Sequence, residues 1–276
     1  MKKIIFTDEQ LQDIRYKYEV EHLSLSKIGN LYGVSRSVIT RIIKELGVII
    51  RQDNHTYFAD YDKFHCIDTA EKAYWLGFIA ADGCVFIREE NASIIINISR
   101  KDRSHLEKLK QFMNSNVNIV DHIQTAGFSN NTEMSKITFN SIKMAQDFNH
   151  IGVTNKKSLT LKPPLIDKQF FLPFILGYFD GDGSIFQFNN NKEWGINIEG
   201  TREMLEWIND ILEVTNKLEK RHNDDKNNYY IRCGGIAKPY RILKQLYDSV
   251  DVHLDRKYEK FKALETVVLS RNIKNY

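Results

Sequence analysis

The chain has 276 residues, 42% of them hydrophobic, which is enough for one large domain or two to three small domains with packed cores. Its net charge of +3 does not by itself indicate a nucleic-acid partner, and its 3 scattered cysteines form neither a disulfide framework nor a zinc-binding pattern. The start MKKIIF runs directly into TDEQ and is too short for a secretory signal; since no apolar run approaches a membrane span, we expect a cytoplasmic protein without a membrane partner.

Short helices are predicted for the first fifty residues. The segment TDEQLQDIRYKYEVEH has apolar residues at helical spacing, and Thr7 or Asp8 can cap it. In the next segment, SLSKIGNLYGVSRSVITRIIKELGV, Ser26 can cap a short helix and Gly33 permits a tight turn. Ser35 then caps a second helix, which a glycine ends.

This pattern of helix, tight turn and helix resembles the helix-turn-helix of DNA-binding proteins. Basic residues dominate from Lys27 to Arg51, which is the electrostatic footprint expected of a nucleic-acid contact. We expect Arg51, in the polar arm after the second helix, to lie along a groove. The predicted DNA-facing residues of the second helix are Arg36, Ser37, Thr40, Arg41 and Lys44. The alternative to DNA binding is that these helices form a small cap with a solvated face.

From about residue 70 the chain contains two copies of one unit. Each copy begins with an apolar segment that ends in an aspartate and a glycine. Two strands, a helix, two further strands and a closing helix are predicted to follow, and a short basic tail, NKKS or DRKY, ends each copy. The segment LKPPLIDKQFFLP connects the copies, because its prolines favour a connector.

The two copies keep a common register. Three pairs of residues are spaced 100 residues apart, namely Asp82 with Asp182, Asn97 with Asn197, and Lys157 with Lys257. A duplication predicts a pseudo-twofold molecule, the single-chain counterpart of a symmetric dimer. The predicted divisions are a helix-turn-helix domain over 1–52, a linker over 53–70, and two repeated units over 71–165 and 166–276.

The opening segment of each copy is predicted to be a helix with small residues four apart. Gly77 and Ala81 share one face of the first helix, and a pair of glycines does so in the second. Small residues let a partner helix approach closely, so we expect the two helices to pack against each other. Asp82 and Asp182 would then meet at the helix ends.

Two buried carboxylates side by side repel each other, so that one takes a proton or cations bind between them. Together with waters and the carbonyl oxygens of Ala81 and Gly181, they are hard oxygen ligands suited to Mg²⁺. With a substrate phosphate they make the inner shell of a two-metal phosphodiesterase. The alternative is that each aspartate simply ends its helix, which the helix dipole disfavours by up to ~1 kcal/mol.

The segments WLGFIAADG and ILGYFDGDG resemble the LAGLIDADG motif of homing endonucleases, and the resemblance extends over about 70 to 270. It implies an α+β fold in which two pseudo-symmetric αββαββα units form a saddle over double-stranded DNA, after a small all-α domain. It also implies metal-dependent cutting of both strands, with Asp82 and Asp182 as the metal-binding catalytic acids. Ala80 replaces the earlier acid of the motif, which Asp180 keeps.

The resemblance further places a basic residue near the active site after the last helix of each unit. Lys157 and Lys257 match that place, where a cation stabilises transition-state charge or helps to activate water. Their neighbours Lys156 and Arg256 could serve instead. A surface lysine that contacts a backbone phosphate is the other interpretation.

The strands are expected to face DNA with alternate residues, counted in twos from the two acids. Arginine and asparagine suit base edges, whereas lysines mainly add phosphate affinity. The alternative is the ordinary polar face of a half-exposed sheet. The predicted contacts are Arg88, Asn97, Ser99, Lys136, Thr138, Ser184, Phe186, Asn197, Glu199, Lys220 and Arg232.

The sequence as a whole predicts a monomeric, Mg²⁺-dependent, site-specific DNA endonuclease that cuts at a long, imperfectly palindromic site. We expect it to be free-standing or intron-encoded. Two alternatives stay open: a DNA-binding transcriptional regulator of the same fold that does not cleave, and an RNA maturase. An aromatic RNP-type motif is absent from the sequence, which disfavours dedicated RNA recognition.

Overall fold

The computed structural model describes residues 6–48, 50, 57–88, 91–125, 131–154, 157–188, 193–220 and 226–271. Two predicted functional positions, Arg51 and Lys156, lie outside the described residues. The chain divides into two compact units, the first comprising residues up to 59 with 115–117 and the second the remainder. Within the described ranges, no helix combines the length and the apolar character needed to span a membrane.

The first unit contains three helices, which are α1 (Asp8–Glu19), α2 (Leu25–Leu31) and α3 (Arg36–Glu45). Thr7 begins α1, and its hydroxyl accepts a hydrogen bond from the Gln10 amide at 3.3 Å. The helices enclose a small apolar core, in which Ile14, Ile28 and Ile39 are fully buried. Each helix therefore buries one face of its periodic pattern, as the sequence predicts.

The turn between α2 and α3 depends on two glycines. Gly33 has a φ of +65°, in the left-handed region that favours glycine. Gly29 lies so close to the turn that a Cβ built on it would be 2.6 Å from the carbonyl oxygen of Val34. The two helices can thus approach each other only with glycine at position 29.

The predicted cap of α2 was wrong. Ser24, not Ser26, begins the helix, and its Oγ accepts a hydrogen bond from the Lys27 amide at 3.2 Å. The reason is packing: Leu25 is only 8% exposed, and it reaches the core as the first residue of the helix.

The second unit contains one arrangement of helices and strands twice. Its first half contains α4 (Ala70–Asp82), β1 (Gly83–Arg88), β2 (Asn91–Ser99), α5 (Arg103–Phe112), β3 (Val120–Gln124), β4 (Thr132–Phe139) and α6 (Ile142–Ile151). Its second half contains α7 (Phe171–Asp182), β5 (Gly183–Phe188), β6 (Glu193–Gly200), α8 (Arg202–Ile211), β7 (Leu218–Lys220), β8 (Tyr229–Gly234) and α9 (Ala237–Tyr247), and a further helix, α10 (Asp255–Ser270), follows. The predicted α+β class and αββαββα order are confirmed.

The strands of each half form a four-stranded antiparallel sheet, in the orders β1-β2-β4-β3 and β5-β6-β8-β7. Alternation fixes which face is covered: in β2, Ile94, Ile96 and Ile98 are buried, whereas Asn97 points to the other face. In β6 the same alternation buries Ile196 and Ile198. Each sheet therefore has an inner apolar face and an outer polar face.

Helix α10 was missed by the sequence prediction, which ended the second copy with a basic tail. Its buried residues, Lys257, Phe261, Leu264 and Val268, recur at spacings of four, three and four residues. That spacing is the signature of a helix with one covered face. The signal was present in the sequence, but it begins inside the charged segment DRKY.

Candidate functional site

The two motif helices, α4 and α7, pack directly against each other. A Cβ on Gly77 would lie 2.0 Å from the carbonyl oxygen of Phe174, and a Cβ on Gly177 would lie 1.9 Å from that of Tyr74. No real Cβ tolerates such contacts, so each glycine is required by the backbone of the other helix. The predicted close pairing of the helices is therefore observed.

The small residues near the helix ends differ between the copies for a steric reason. A Cβ on Gly181 would lie 2.3 Å from the Cβ of Ala81. The crossing has room for one methyl group and not for two. The chain places that methyl group at Ala81 and keeps position 181 as glycine.

The two motif aspartates end these helices, and the next residue of each copy begins a strand. Burial raises the pKa of Asp82 to about 7, and the nearby Asp182 carboxylate acts in the same direction. The sequence predicted two buried carboxylates, whereas in the structure Asp82 is half-buried and Asp182 is exposed. The acids are therefore near each other but not equivalent.

The two lysines approach the ends of the same helices. Lys257 is 3% exposed, and its Nζ donates to the carbonyl oxygens of Phe179 and Asp180 at 2.6 and 2.7 Å. Lys157 is 7% exposed, and its Nζ donates to the carbonyl oxygens of Ala80 and Ala81. Each ammonium thereby compensates the negative end of a helix dipole.

The lysines and the acids are paired across the two halves. Burial lowers the pKa of Lys257 to about 8, and burial also lowers that of Lys157. Of the two lysines, Lys257 acts more strongly on the pKa of Asp82. Of the two aspartates, Asp182 acts more strongly on the pKa of Lys157. Asp82 is therefore coupled more strongly to the lysine of the other half, and Lys157 more strongly to the acid of the other half.

Two cavities follow the same crossed pattern. A cavity of 160 Å³ beside the second acid is lined by residues that include Ala81, Lys157, Tyr178, Asp182, Glu199, Thr201 and Asn228. A cavity of 240 Å³ beside the first acid is lined by residues that include Asp82, Asn97, Ser99, Asp102, Asp180, Gly181, Leu254 and Arg256. Each cavity thus takes residues from both halves, so the candidate site has two composite compartments.

A buried polar network adjoins the Asp82 compartment. Asp180 is 2% exposed, and its Oδ2 accepts hydrogen bonds from the Tyr74 hydroxyl at 2.7 Å and the Leu254 amide at 2.8 Å. The same hydroxyl lies 3.0 Å from Nε2 of His105. Burial raises the pKa of Asp180 to about 6, against the lowering effect of Lys257.

Sequence reasoning named Arg256 only as a substitute for Lys257, and the structure gives it a different environment. Its Nε and Nη2 donate to the two carboxylate oxygens of Asp102 at 3.0 and 2.9 Å. Asp102 belongs to the first half and is 8% exposed. This ion pair joins the halves beside Asp82, and no feature of the sequence indicated it.

The donor set fits a hard divalent cation. Within the described ranges, no three histidine, cysteine or acidic side chains come together as ligands. The aspartate pair, backbone carbonyls and a substrate phosphate would therefore have to supply the oxygens. The Oδ1 atoms of Asn97 and Asn197 are buried and accept no hydrogen bond from the described residues, so they are suited to a water or a cation. The Ala81 carbonyl already accepts from Lys157.

The predicted contact residues of the strands mostly share the outer faces of the sheets. Asn97 lies opposite Lys136 in the first sheet, and Ser184, Asn197 and Arg232 form one row of the second. The other residues that strand alternation puts on these outer faces are Arg88, Ser99, Thr138, Phe186 and Glu199.

An aromatic cluster covers part of the outer face of the second sheet. The guanidinium of Arg232 lies 4.8 Å from the ring centroid of Phe186 and 5.7 Å from that of Phe188. Phe186 is half-buried, and a Cβ on Gly195 would lie 2.6 Å from its ring. The ring thus lies over a glycine and holds the guanidinium at the surface.

Lys220, a candidate DNA contact on an outer strand, does not share the outer face with the other candidates. Strand β7 pairs Lys220 with Tyr229 and Leu218 with the buried Ile231, which puts Lys220 at an inner-face position. Its Nζ lies 5.9 Å from the ring centroid of Tyr229. The short strand ends at this residue, and its register, which the sequence does not reveal, decides the face.

In the first unit, four predicted residues of α3 are exposed, namely Arg36, Ser37, Arg41 and Lys44. Thr40 is half-buried, and its hydroxyl donates to the carbonyl oxygen of Arg36 at 2.8 Å. The opposite face of the helix, with Ile39, Ile42 and Ile43, is buried. The helix therefore presents a basic polar face, as predicted.

The fold and the site define a duplicated α+β protein in which two helix-borne acids, coupled to two buried lysines, lie beside two compartments that both halves line. Residues 69–159 match the model of the LAGLIDADG-like domain family. This stretch, which contains the first motif, is therefore similar to LAGLIDADG-like domains, and the predicted resemblance to that family is confirmed for it. No curated protein sequence matches the chain.

Several solved structures are similar to this one. A structure of the meganuclease I-SmaMI bound to uncleaveable DNA with a TTCT central four is 14% identical, with 73% of this chain and 92% of that chain covered and a TM-score of 0.49. The I-LtrWI LAGLIDADG homing endonuclease bound to target DNA is 13% identical, with 76% and 92% covered and a TM-score of 0.46. I-SmaMI bound to an uncleaved DNA target in the presence of calcium ions is 14% identical, with 72% and 92% covered and a TM-score of 0.44.

Proposed function

We propose that the protein is a DNA endonuclease that hydrolyses one phosphodiester bond in each strand of a specific duplex site, with Mg²⁺ as its cofactor. The observation that carries this proposal is the crossed arrangement of Asp82 and Asp182 with Lys257 and Lys157. Each acid lies beside its own compartment and is coupled electrostatically to a buried lysine, and two such sets suit two cuts in two strands. Because both halves belong to one chain, the active species is a monomer.

Asp82 and Asp182 would hold the cation, with the Gly181 carbonyl and a DNA phosphate as further oxygen ligands. Such an ion supplies Lewis-acid stabilisation and lowers the pKa of a bound water. The raised pKa of Asp82 supports this role, since a bound cation offsets both the burial and the repulsion by Asp182 that favour the protonated form. The Ala81 carbonyl is available only when Lys157 releases it.

The lysines act on the DNA phosphate and on water. The lowered pKa of Lys257, about 8, leaves part of the population neutral at slightly alkaline pH, so that Lys257 can accept a proton from water. In its charged form the same group stabilises the negative charge that develops on the phosphate. We assign the equivalent role in the other compartment to Lys157.

The outer sheet faces and α3 contact the DNA. Asn97, Asn197 and Arg232 suit base edges, and Lys136 suits a phosphate. The aromatic cluster at Phe186 presents an apolar surface, which suits the methyl group of thymine. The exposed basic residues of α3 extend the recognised sequence beyond the two half-sites.

A cleavage assay on a supercoiled plasmid library of candidate insertion sites tests the proposal. Wild-type protein with Mg²⁺ should linearise a subset of plasmids, and EDTA should prevent it. Asp82→Asn and Asp182→Asn should abolish double-strand cutting while the dissociation constant for the same site stays unchanged. Full cutting by the double variant would refute the assignment of the acids. Site-specific binding without cutting by the wild type would instead support a transcriptional regulator.

A further inference from the structure

The second motif copy keeps an acid, Asp180, where the first copy has Ala80. We propose that Asp180 positions Lys257 by fixing the start of α10, so that cutting of one DNA strand depends on Asp180 and cutting of the other does not. This inference rests on the proposed function and deepens it. Asp180 acts through Lys257 and is a positioning residue.

The contact that carries the inference joins Asp180 to the first residue before α10. Leu254 is 4% exposed and has no side chain able to cap a helix. Its amide donates to Oδ2 of Asp180 at 2.8 Å, and its carbonyl oxygen accepts from the Lys257 amide at 3.0 Å. Asp180 therefore supplies from α7 the acceptor for the N-cap amide that the third-residue side chain of a capping box would otherwise supply.

The start of α10 is held at two further points. Asp255 accepts from Nζ of Lys108 at 2.5 Å, and Arg256 pairs with Asp102. These two contacts involve partly exposed side chains, whereas the contact of Asp180 holds buried backbone. Loss of Asp180 would leave the Leu254 amide without an acceptor inside the protein, which favours displacement of the first turn.

Lys157 is positioned by different means. It begins a short 3-10 turn, and its carbonyl oxygen accepts from the Leu161 amide at 2.8 Å. The carbonyl oxygen of Leu161 accepts from Oγ1 of Thr201 at 2.6 Å. Ala80 takes part only through its backbone, as an acceptor for Lys157. Among the described residues, the Asp182 compartment thus contains no contact equivalent to the one made by Asp180.

The decisive experiment measures each strand of a cognate duplex separately, with different fluorophores on the two strands and enzyme in excess. Asp180→Ala should slow one strand by about tenfold to a hundredfold, since a displacement of 1 Å costs about a hundredfold, and change the other by less than about twofold. The slowed strand should be the one that Lys257→Ala slows, whereas Lys157→Ala should slow the opposite strand. The dissociation constant for DNA should not change.

Asp180→Asn is the matched control, because its amide oxygen can still accept from the Leu254 amide. It should cut both strands within about threefold of wild type, whereas a direct role of the carboxylate as a ligand would make it as harmful as alanine. Equal slowing of both strands by Asp180→Ala, slowing of the Lys157-dependent strand, or failure of asparagine to restore the rate would each overturn the inference.

Hydrogen exchange of the Leu254 amide tests the same contact without DNA. Asp180→Ala should raise the exchange rate about tenfold or more, and Asp180→Asn should leave it near the wild-type rate. Unchanged protection in the alanine variant would overturn the inference. If the wild type cut no DNA, the proposed function would fail, whereas this measurement would still decide whether Asp180 holds α10.

Discussion

Gly177→Ala should destabilise the second unit strongly. A methyl group at this position would lie 1.9 Å from the carbonyl oxygen of Tyr74 and 2.9 Å from the Phe78 amide nitrogen. Ordinary contact begins at 3.4 Å, so α4 and α7 must separate by roughly 1.5 Å. Both neighbours are backbone atoms and have no rotamer to change. We therefore expect a cost near the upper end of the overpacking range, about 3 kcal/mol.

Tryptophan fluorescence isolates this effect, because the 3 tryptophans of the chain, Trp75, Trp194 and Trp207, all lie in the second unit. A cost of about 3 kcal/mol corresponds to a fall in melting temperature of roughly 6–12 °C for a domain of this size. Gly234→Ala is the control, since its Cβ would meet nothing closer than 3.7 Å. It should stay within about 1 kcal/mol of wild type.

The same variant should also lose DNA cutting, because separation of α4 from α7 moves Asp82 away from Asp182. A Gly177→Ala protein that melts within about 2 °C of wild type would contradict the steric reasoning. A variant that melts early but cuts at the wild-type rate below its transition would contradict the idea that the helix crossing fixes the acids.

Three further outcomes are expected. Because the pKa of Asp82 rises from 3.8 to about 7 on folding, the metal-free wild type should lose stability relative to Asp82→Asn as pH rises from about 4 to 8. Urea unfolding of both proteins at the two pH values measures this difference, and a gain in relative stability of the wild type would contradict it. Replacing Arg41 and Lys44 together by alanine should lower the salt slope of DNA binding by about 2 in fluorescence anisotropy, and an unchanged slope would remove α3 from the DNA contact. Gly29→Ala should cost the first unit about 1–3 kcal/mol, seen as faster amide exchange in α2 and α3, and unchanged exchange would show that the contact with Val34 relaxes cheaply.

Local features of the fold were predictable because neighbouring residues in the sequence encode them. The alternation of apolar and polar residues in β2 and β6 is enough to assign Asn97 and Asn197 to the outer faces of the sheets. The glycines of the motif helices likewise indicate a close crossing. Both signals repeat in register, which made the duplication recognisable.

Contacts between distant residues were not predictable in the same way. Asp180 and Leu254 are separated by 74 residues, and Asp102 and Arg256 by 154. For neither acid do the neighbouring residues in the sequence indicate which distant group forms its hydrogen bond or ion pair. The inner-face position of Lys220 depends on the register of a three-residue strand, which no local pattern fixes. The crossed pairing of lysines and acids emerges only when both halves are folded together.

The crossed pairing of lysines and acids affects when the site is completed during synthesis of the chain. The first half is synthesised with Asp82 but without Lys257, the cation that most strongly opposes the charge of Asp82. A ribosome that stops between the halves releases a chain with one acid and no complete compartment. Under the proposed function, cutting of both strands therefore begins only when α10 has left the ribosome and docked. Under the same proposal, a product that ends between the halves lacks a complete cutting site.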